Sequence, residues 1–203
     1  MIDGAQLLSW ARRTVQVLKV HREEINRLNV FPVPDSDTGS NMAHTMSAAL
    51  ENAETVESPA SCADIASALA VGSIKGARGN SGVVLSQVLR GVAQAAAEGD
   101  LDAASVADAL SNAVVYVERA ITDPVEGTIV TVLRKAATAA QEALSGAAGE
   151  SPLDAVTSAA VTAAEEALEQ TPSQLAELRD AGVVDAGGLS LIHISEPTRR
   201  TPI

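Results

Sequence analysis

Aromatic residues are almost absent from this sequence, which has one Phe, one Trp and one Tyr among 203 residues. A β-rich core usually relies on aromatic and β-branched side chains. Here the hydrophobic 46% of the chain consists mainly of aliphatic residues, which suit tightly packed helices. The length is that of one sizeable domain with its own core. The composition therefore favours a single all-α domain.

Cysteine and basic residues are also scarce. The single cysteine, Cys62, excludes an internal disulfide and a cysteine-based zinc site, and its place in SCADIASALA predicts a small buried core residue. Lys and Arg number 14 against 26 Asp and Glu, which gives a net charge of −12. This charge repels phosphate backbones, and few aromatic rings are available for bases to stack on. Nucleic acid is therefore not expected as a partner.

No long apolar run is present. A helix that crosses a bilayer needs about 18 or more apolar residues, and no stretch of this sequence reaches that length. The first residues, MIDGAQLLSWARR, lack the basic start and the apolar run of a targeting segment. We expect a cytoplasmic protein with no stable membrane insertion.

Apolar residues recur at helical spacing along most of the chain. In the first segment Leu7, Ala11, Val15 and Leu18 follow one another at steps of three and four. The same kind of pattern, with its flanking capping residues, predicts helices at 4–29, 41–53, 61–74, 81–99, 102–121, 127–144, 151–171 and 173–182. Short links join them, without a repeat or a low-complexity linker. The sequence predicts an antiparallel bundle or barrel of about eight helices.

The amino-acid composition of the last residues differs from that of the rest of the chain. After Gly188 the chain reads LSLIHISEPTRRTPI, which replaces the Ala-rich acidic composition with a short apolar run, two prolines and two arginines. This segment resembles a translated adaptor read-through at the end of a predicted gene, and such segments are excluded from fold reasoning. The sequence therefore predicts a domain at 1–188, a non-native or disordered tail at 189–203, and a barrel whose last helix is lost.

Asp35 and Asp37 lie close together in the stretch VFPVPDSDTGSNM. Two ionised carboxylates repel each other unless one is protonated or a cation lies between them. Oxygen ligands select Mg²⁺, Ca²⁺ or Mn²⁺, and the calcium-loop pattern fails because its sixth position is Ser40 and its twelfth is Met46. Mg²⁺ shared with substrate phosphates fits better. The alternative is that both aspartates only form a turn.

Glycine and small polar residues lead towards a helix at three further places. These are KGARGNSG at 75–82, DPVEGTIV at 123–130 and GVVDAGG at 182–188. Helix N-termini carry free N–H groups and partial positive charge, so several of them around one pocket would hold a polyphosphate without many lysines. No GxxxxGK[ST] or strand-linked GxGxxG motif is present, so neither the P-loop nor the dinucleotide-binding fold applies.

Together these motifs resemble a known family. LNVFPVPDSDTGSNM, GARGNSG, EGTIVTV and GVVDAGG, in this order, are similar to the nucleotide-binding domain of the dihydroxyacetone-kinase-like (DhaL-type) family. The match is closest to the N-terminal kinase domain of bacterial fatty-acid kinase. The resemblance implies an antiparallel barrel of eight helices that binds ATP at one end through Mg²⁺ ions held by aspartates of the first loop.

The resemblance also implies roles for residues of each motif. Asp35 and Asp37 are implied as catalytic residues and Mg²⁺ ligands, with Asn29 as a third ligand. The implied nucleotide contacts are Thr38, Gly39, Asn41, Asn80, Ser81, Gly127, Thr128, Asp185, Ala186 and Gly187. For His44 we expect a packing or surface role, and Arg78 is either a phosphate contact or an exposed loop residue.

The sequence departs from the family at Ser36, where the family usually has glycine. If this position requires positive φ, the substitution costs about 1 kcal/mol. A second departure follows DAGG, because the family continues there into another apolar helix and this chain enters the unusual tail.

Thr38 stands where dihydroxyacetone kinases carry a histidine, in the pattern DGDHG, and this favours the fatty-acid branch. A carboxylate acceptor is ionised at neutral pH and needs alignment rather than a general base. The resemblance implies that the γ-phosphoryl group of ATP passes to a fatty acid on a separate carrier protein, giving an acyl phosphate and ADP. It also implies further C-terminal domains in the full kinase.

Two alternative functions stay open on the sequence alone. One is phosphorylation of dihydroxyacetone or another small polyol. The other is a nucleotide-binding module that senses ATP or ADP and transfers nothing.

Overall fold

The described part of the chain is built from helices. The structure, a computed structural model, describes residues 1–146 and 151–199. Its helices are α1 (Gly4–Leu28), α2 (Thr38–Ala53), α3 (Cys62–Gly76), α4 (Gly79–Ala95), α5 (Ala103–Ala120), α6 (Ile129–Gly146), α7 (Pro152–Gln174), α8 (Ala176–Ala181) and α9 (Ala186–Arg199). Within these residues, extended pairing is limited to an isolated bridge between Ile2 and Leu101. The all-α prediction is confirmed.

Polar side chains fix where several helices begin. α1 begins after Asp3, whose carboxylate accepts the backbone N–H of Gln6 at 2.8 Å, while the Gln6 side chain accepts the N–H of Asp3 at 3.0 Å. α3 begins after Ser61, which forms a capping box with Asp64. Each cap satisfies amides that have no acceptor inside the helix. These local bonds define the helix ends before any packing is considered.

Two helices begin earlier than the predicted segments. α2 begins at Thr38 rather than Asn41, and α4 begins at Gly79 rather than Ser81. The added residues are small polar residues and glycine, which carry no apolar period. The phosphate-binding residues predicted in the first two motifs therefore lie in the first turns of helices.

The long helices form a closed ring. Each helix from α1 to α7 packs against the next one along the chain, and α9 packs against both α7 and α1. Buried side chains such as Leu18, Met46 and Leu85 fill one part of the interior, and Val132 and Val156 belong to a second cluster. The predicted helical barrel is confirmed, with the short helix α8 packed on α7.

The last helix is present, contrary to the prediction that it is lost to a disordered tail. Residues 189–199 continue α9, and Ile192 and Ile194 are buried in the two core clusters. The indole Nε1 of Trp10 donates to the carbonyl oxygen of Ile194 at 3.1 Å. The segment LSLIHI supplies apolar residues of suitable size, which is what packing between neighbouring helices requires. The domain boundary at 188 and the non-native origin of the tail stay predictions, and residues 200–203 lie outside the described residues.

The structure bears on two expectations drawn from the composition, which concern Cys62 and bilayer-crossing helices. Cys62 is buried in the core, with 1% of its surface exposed, as predicted, and burial raises the pKa of its thiol. Among the described residues, none of the helices has both the length and the apolar character that a bilayer crossing requires.

Candidate functional site

A cavity of about 710 Å³ lies where four helices begin. Its walls include Thr38 at the start of α2, Gly79 at the start of α4, Ile129 at the start of α6 and Ala186 at the start of α9. Neighbouring helices in a ring with short links run antiparallel, so alternate helices begin at the same end. The four motifs, which are far apart in sequence, therefore meet in one cavity.

Most residues implied by the family resemblance line this cavity. Those that do are Asn29, Asp35, Asp37, Thr38, Asn41, Asn80, Ser81, Thr128, Asp185, Ala186 and Gly187. Gly39 and Gly127 do not. A Cβ at Gly39 would lie 2.4 Å from the carbonyl oxygen of Arg22, so this glycine lets α2 pack closely on α1. Gly127 has a φ of 83° and turns the chain into α6.

Asp35 and Asp37 both line the cavity. Asp35 is exposed and Asp37 is half-buried. Asp37 precedes α2 without capping it through its side chain, and no hydrogen bond or ion pair of either carboxylate occurs among the contacts of the described residues. Two neighbouring anionic groups without a protein partner fit a hard divalent cation such as Mg²⁺.

Ser36, between the two aspartates, has a φ of 56°. This is the left-handed region, where a side chain is strained and glycine is favoured. The family's glycine at this position thus has a conformational reason, and this chain keeps the same turn with a serine.

We expect Ser36→Gly to stabilise the protein by about 1 kcal/mol, because it removes the steric cost of positive φ. Urea unfolding measures the difference. Ser47→Gly, inside α2, is the matched control and should destabilise by about 0.5 kcal/mol. A loss of stability with Ser36→Gly would contradict the strained turn.

Asn29 ties the end of α1 to the first turn of α2. Its side-chain oxygen accepts the backbone N–H of Thr38 at 3.0 Å and also the Thr38 hydroxyl, and its amide group donates to the carbonyl oxygen of Val33 at 2.8 Å. Asn29 is buried, with 5% of its surface exposed. Its oxygen already has two donors, so a role as metal ligand requires Thr38 to find other partners, and that role stays a prediction.

The first turn of α4 is open towards the cavity. Arg78 precedes it without a side-chain capping bond, so its first amides are free for a ligand. Gly79 has a φ of 60°, and a Cβ there would lie 2.5 Å from Nδ2 of Asn41. Gly79 therefore lets the first two motifs approach each other. It lines the cavity, although the sequence pattern singled out only its neighbours Asn80 and Ser81.

Asp185 lies at the junction of three helices. It is buried, with 7% of its surface exposed, and Oδ2 accepts the backbone N–H of Gly188 at 2.6 Å. Its own N–H donates to the hydroxyl of Thr171 on α7 at 3.1 Å. Burial raises its pKa to about 6, against the opposing effect of the backbone N–H groups of Gly188, Ile129 and Gly187. The carboxylate thus connects the first turns of α9 and α6.

The glycines of the DAGG motif serve this junction. A Cβ at Gly188 would lie 2.9 Å from Val132 on α6, and one at Gly187 would lie 3.0 Å from Ile129 on the same helix. Both glycines therefore let α9 approach α6 closely. Asp185 lines the cavity and also accepts backbone N–H groups from two of the helices that begin there.

Basic side chains do not occur among the described residues that line the cavity. His44 and Arg78 are exposed and lie outside the lining. The titratable lining residues are Asp35, Asp37, Asp123 and Asp185. An anionic ligand would therefore depend on backbone amides, hydroxyls and side-chain amides, together with any cation held by the carboxylates.

Comparison with known proteins points to the same family. The family model described as the DAK2 domain matches residues 32–198. Protein YloV of Bacillus subtilis (strain 168) is 37% identical over 196 residues, covering 96% of this chain and 35% of the relative. An uncharacterized protein of Staphylococcus aureus (strain USA300) is 36% identical over 196 residues, with the same coverage.

A solved structure shares the fold. The native form of the dihydroxyacetone kinase of C. freundii aligns with a TM-score of 0.63 and 17% identity, over 96% of this chain and 34% of that chain. The chain thus spans about a third of the length of these proteins. The match across residues 32–198, together with the barrel fold shared with that kinase, shows that this chain belongs to the DAK2 domain family.

Proposed function

We propose that this chain is an ATP- and Mg²⁺-dependent kinase domain that transfers the γ-phosphoryl group to a fatty acid carried by a separate protein. The products are an acyl phosphate and ADP. One observation carries the proposal: four helix N-termini meet in a single cavity that is also lined by two carboxylates with no hydrogen-bond or ion-pair partner among the described residues.

Asp35 and Asp37 would hold Mg²⁺, with Asn29 as a further candidate ligand. Bound Mg²⁺ would supply positive charge against the phosphate oxygens. The left-handed turn at Ser36 separates the two aspartates, both of which line the cavity. The fit rests on their free carboxylates, since oxygen ligands of this kind suit Mg²⁺.

The phosphates would lie against the first turns of α2 and α4. The α4 turn offers backbone amides, the hydroxyl of Ser81 and the side-chain amide of Asn80. The α2 turn offers the side-chain amide of Asn41, because the backbone N–H groups of Thr38 and Ser40 already donate to Asn29 and Asn26. Thr38 is held in place by Asn29, so the first turn of α2 is fixed before a ligand arrives. Such prearranged donors favour an anion without reorganisation.

The rest of the cavity has a different character. Phe31, Val83, Ile121, Val125 and Ile129 provide apolar surface. Apolar walls with a few polar groups are typical of sites that enclose a small molecule, and here they would enclose the nucleoside. At the α6 and α9 end, the carboxylate of Asp185 already accepts backbone amides, which leaves the uncapped first turn of α4 and the side chains at the start of α2 as the better phosphate sites.

The acceptor is expected to be a carboxylate. Its oxygen attacks the γ-phosphorus, an acyl C(O)–O–P linkage forms, and the bond from the γ-phosphorus to the bridging oxygen breaks to release ADP. An ionised carboxylate has no proton to lose. The described lining contains no histidine, and Thr38 stands where dihydroxyacetone kinases carry one, which supports the fatty acid over a polyol.

Release of ADP tests the acceptor. With ATP and Mg²⁺, we expect release to depend on a fatty acid and to rise when a lipid carrier protein presents it, whereas dihydroxyacetone should give no increase. Because the chain spans about a third of its relatives, full-length YloV serves as the comparison enzyme. Turnover with dihydroxyacetone alone would favour the polyol kinase, for which the shared fold of the C. freundii enzyme is the supporting observation. Tight nucleotide binding without turnover would favour a sensor.

A further inference from the structure

The link between α5 and α6, residues 121–128, forms one wall of the cavity. Lining residues from Ile121 to Val125 belong to it, together with Thr128. Thr122, Asp123 and Pro124 are exposed, so little apolar burial holds this part of the chain in shape. Exposed segments with few buried contacts open at low free energy unless polar contacts restrain them.

Polar contacts to α6 restrain the end of this link. The two carboxylate oxygens of Glu126 accept the hydroxyl of Thr131 at 2.7 Å and Nη1 of Arg134 at 2.6 Å. The same Thr131 hydroxyl accepts the buried N–H of Gly127 at 3.0 Å. Thr131 and Arg134 lie one turn apart and therefore on the same helix face. The turn that leads into α6 is thus fixed at two consecutive residues.

Arg134 also reaches the other end of the link. Its Nη2 and Nε donate to the carboxylate of Glu118 on α5, at 3.1 and 3.3 Å. One planar guanidinium therefore bridges a residue just before the link and a residue near its end, a geometry that arginine provides and lysine does not. The Thr131 hydroxyl and Arg134 lower the pKa of Glu126, so the bridge stays charged at neutral pH.

We infer that Arg134 is a positioning residue of the nucleotide site, holding the 121–128 wall in its binding shape through Glu118 and Glu126. The inference rests on the proposed nucleotide binding. Neither Arg134 nor its two partners lines the cavity. With 37% of the Arg134 side chain and 61% of the Glu126 side chain exposed, the ion pair contributes little to overall stability. The main effect of the ion pair is on the conformation of the 121–128 wall.

Arg134→Met tests the inference by calorimetry of ATP binding in the presence of Mg²⁺. We expect the dissociation constant to rise about three- to tenfold, because the wall is then in the binding shape only part of the time. Arg134→Lys should give an intermediate value, since an ammonium group reaches one carboxylate at a time. Glu126→Gln should weaken binding similarly, and the double variant with Arg134→Met should be no weaker than the worse single one.

Arg12→Met is the matched control. Arg12 pairs with Glu54 at the far end of α2 at a similar exposure, so its loss should leave ATP affinity unchanged. If the native chain binds no ATP, the proposed function fails. If the native chain binds ATP and Arg134→Met binds it equally well, the positioning role fails while the proposed function stands. Additive effects in the double variant would also overturn it.

Discussion

Replacing both Asp35 and Asp37 with asparagine should abolish the Mg²⁺-dependent part of ATP binding. Both residues line the cavity, and their carboxylates have no partner in the part of the chain that the structure describes. Neutral amides attract a divalent cation far less than carboxylates do. We expect the affinity in Mg²⁺ to fall about 100-fold, at least the loss seen when groups that merely support metal ligands are removed. Calorimetry with and without Mg²⁺ measures both the affinity and the metal requirement.

Asp123→Asn is the control for this experiment. Asp123 is an exposed carboxylate on a different wall of the same cavity, so its loss removes one negative charge and leaves the proposed metal ligands intact. It should keep the full Mg²⁺ requirement. An unchanged affinity and an unchanged metal requirement in the double aspartate variant would reject the proposed metal site.

The second large effect is expected at Asp185, through the pH dependence of stability. Burial raises the pKa of its carboxyl to about 6 in the folded protein, from an ordinary value of 3.8. A raised folded-state pKa means that folding retains a proton between these values, so the contribution of Asp185 to stability is greatest below pH 4 and is lost as the pH rises through 6. The loss amounts to about 3 kcal/mol.

Asp185→Asn should remove this dependence. Urea unfolding at several values between pH 4 and pH 7 would show the native chain losing about 3 kcal/mol relative to the variant across the range. Asp64→Asn is the control with the opposite sign. The Ser61 hydroxyl and backbone N–H lower the pKa of Asp64, so its contribution is lost as the pH falls. A pH-independent difference between the native chain and Asp185→Asn would show that this carboxyl titrates normally.

The candidate site was predicted from sequence in part. The four motifs and most of their side chains could be found because glycine, aspartate and small polar residues before a helix have a local conformational meaning. The pattern could not tell Gly79, which faces the cavity, from Gly39, which faces α1. That difference depends on which helix lies opposite, and no local pattern contains it.

Two further differences between the sequence prediction and the structure also depend on which helices pack together. The composition of residues 189–203 predicts a non-native or disordered tail. A helix is stabilised when neighbouring helices bury its apolar side chains, and Ile192 and Ile194 are buried in this way. No sequence motif marks Arg134, because its inferred role depends on the carboxylates of Glu118 and Glu126, which lie 16 and 8 residues away along the chain. Pairing of this kind between surface side chains can be recognised only from the tertiary structure.

The sequence by itself determined that this protein is helical, that its charge excludes nucleic acid as an expected partner, and that the acidic loop and glycine turns are suited to phosphate and metal. These properties follow from side-chain chemistry and short-range geometry. The tertiary structure alone decided that the four turns share one cavity and that Asp185 joins two of them from within. The physical reason is ring closure: only when α9 packs between α7 and α1 do the alternate helix starts meet at one end.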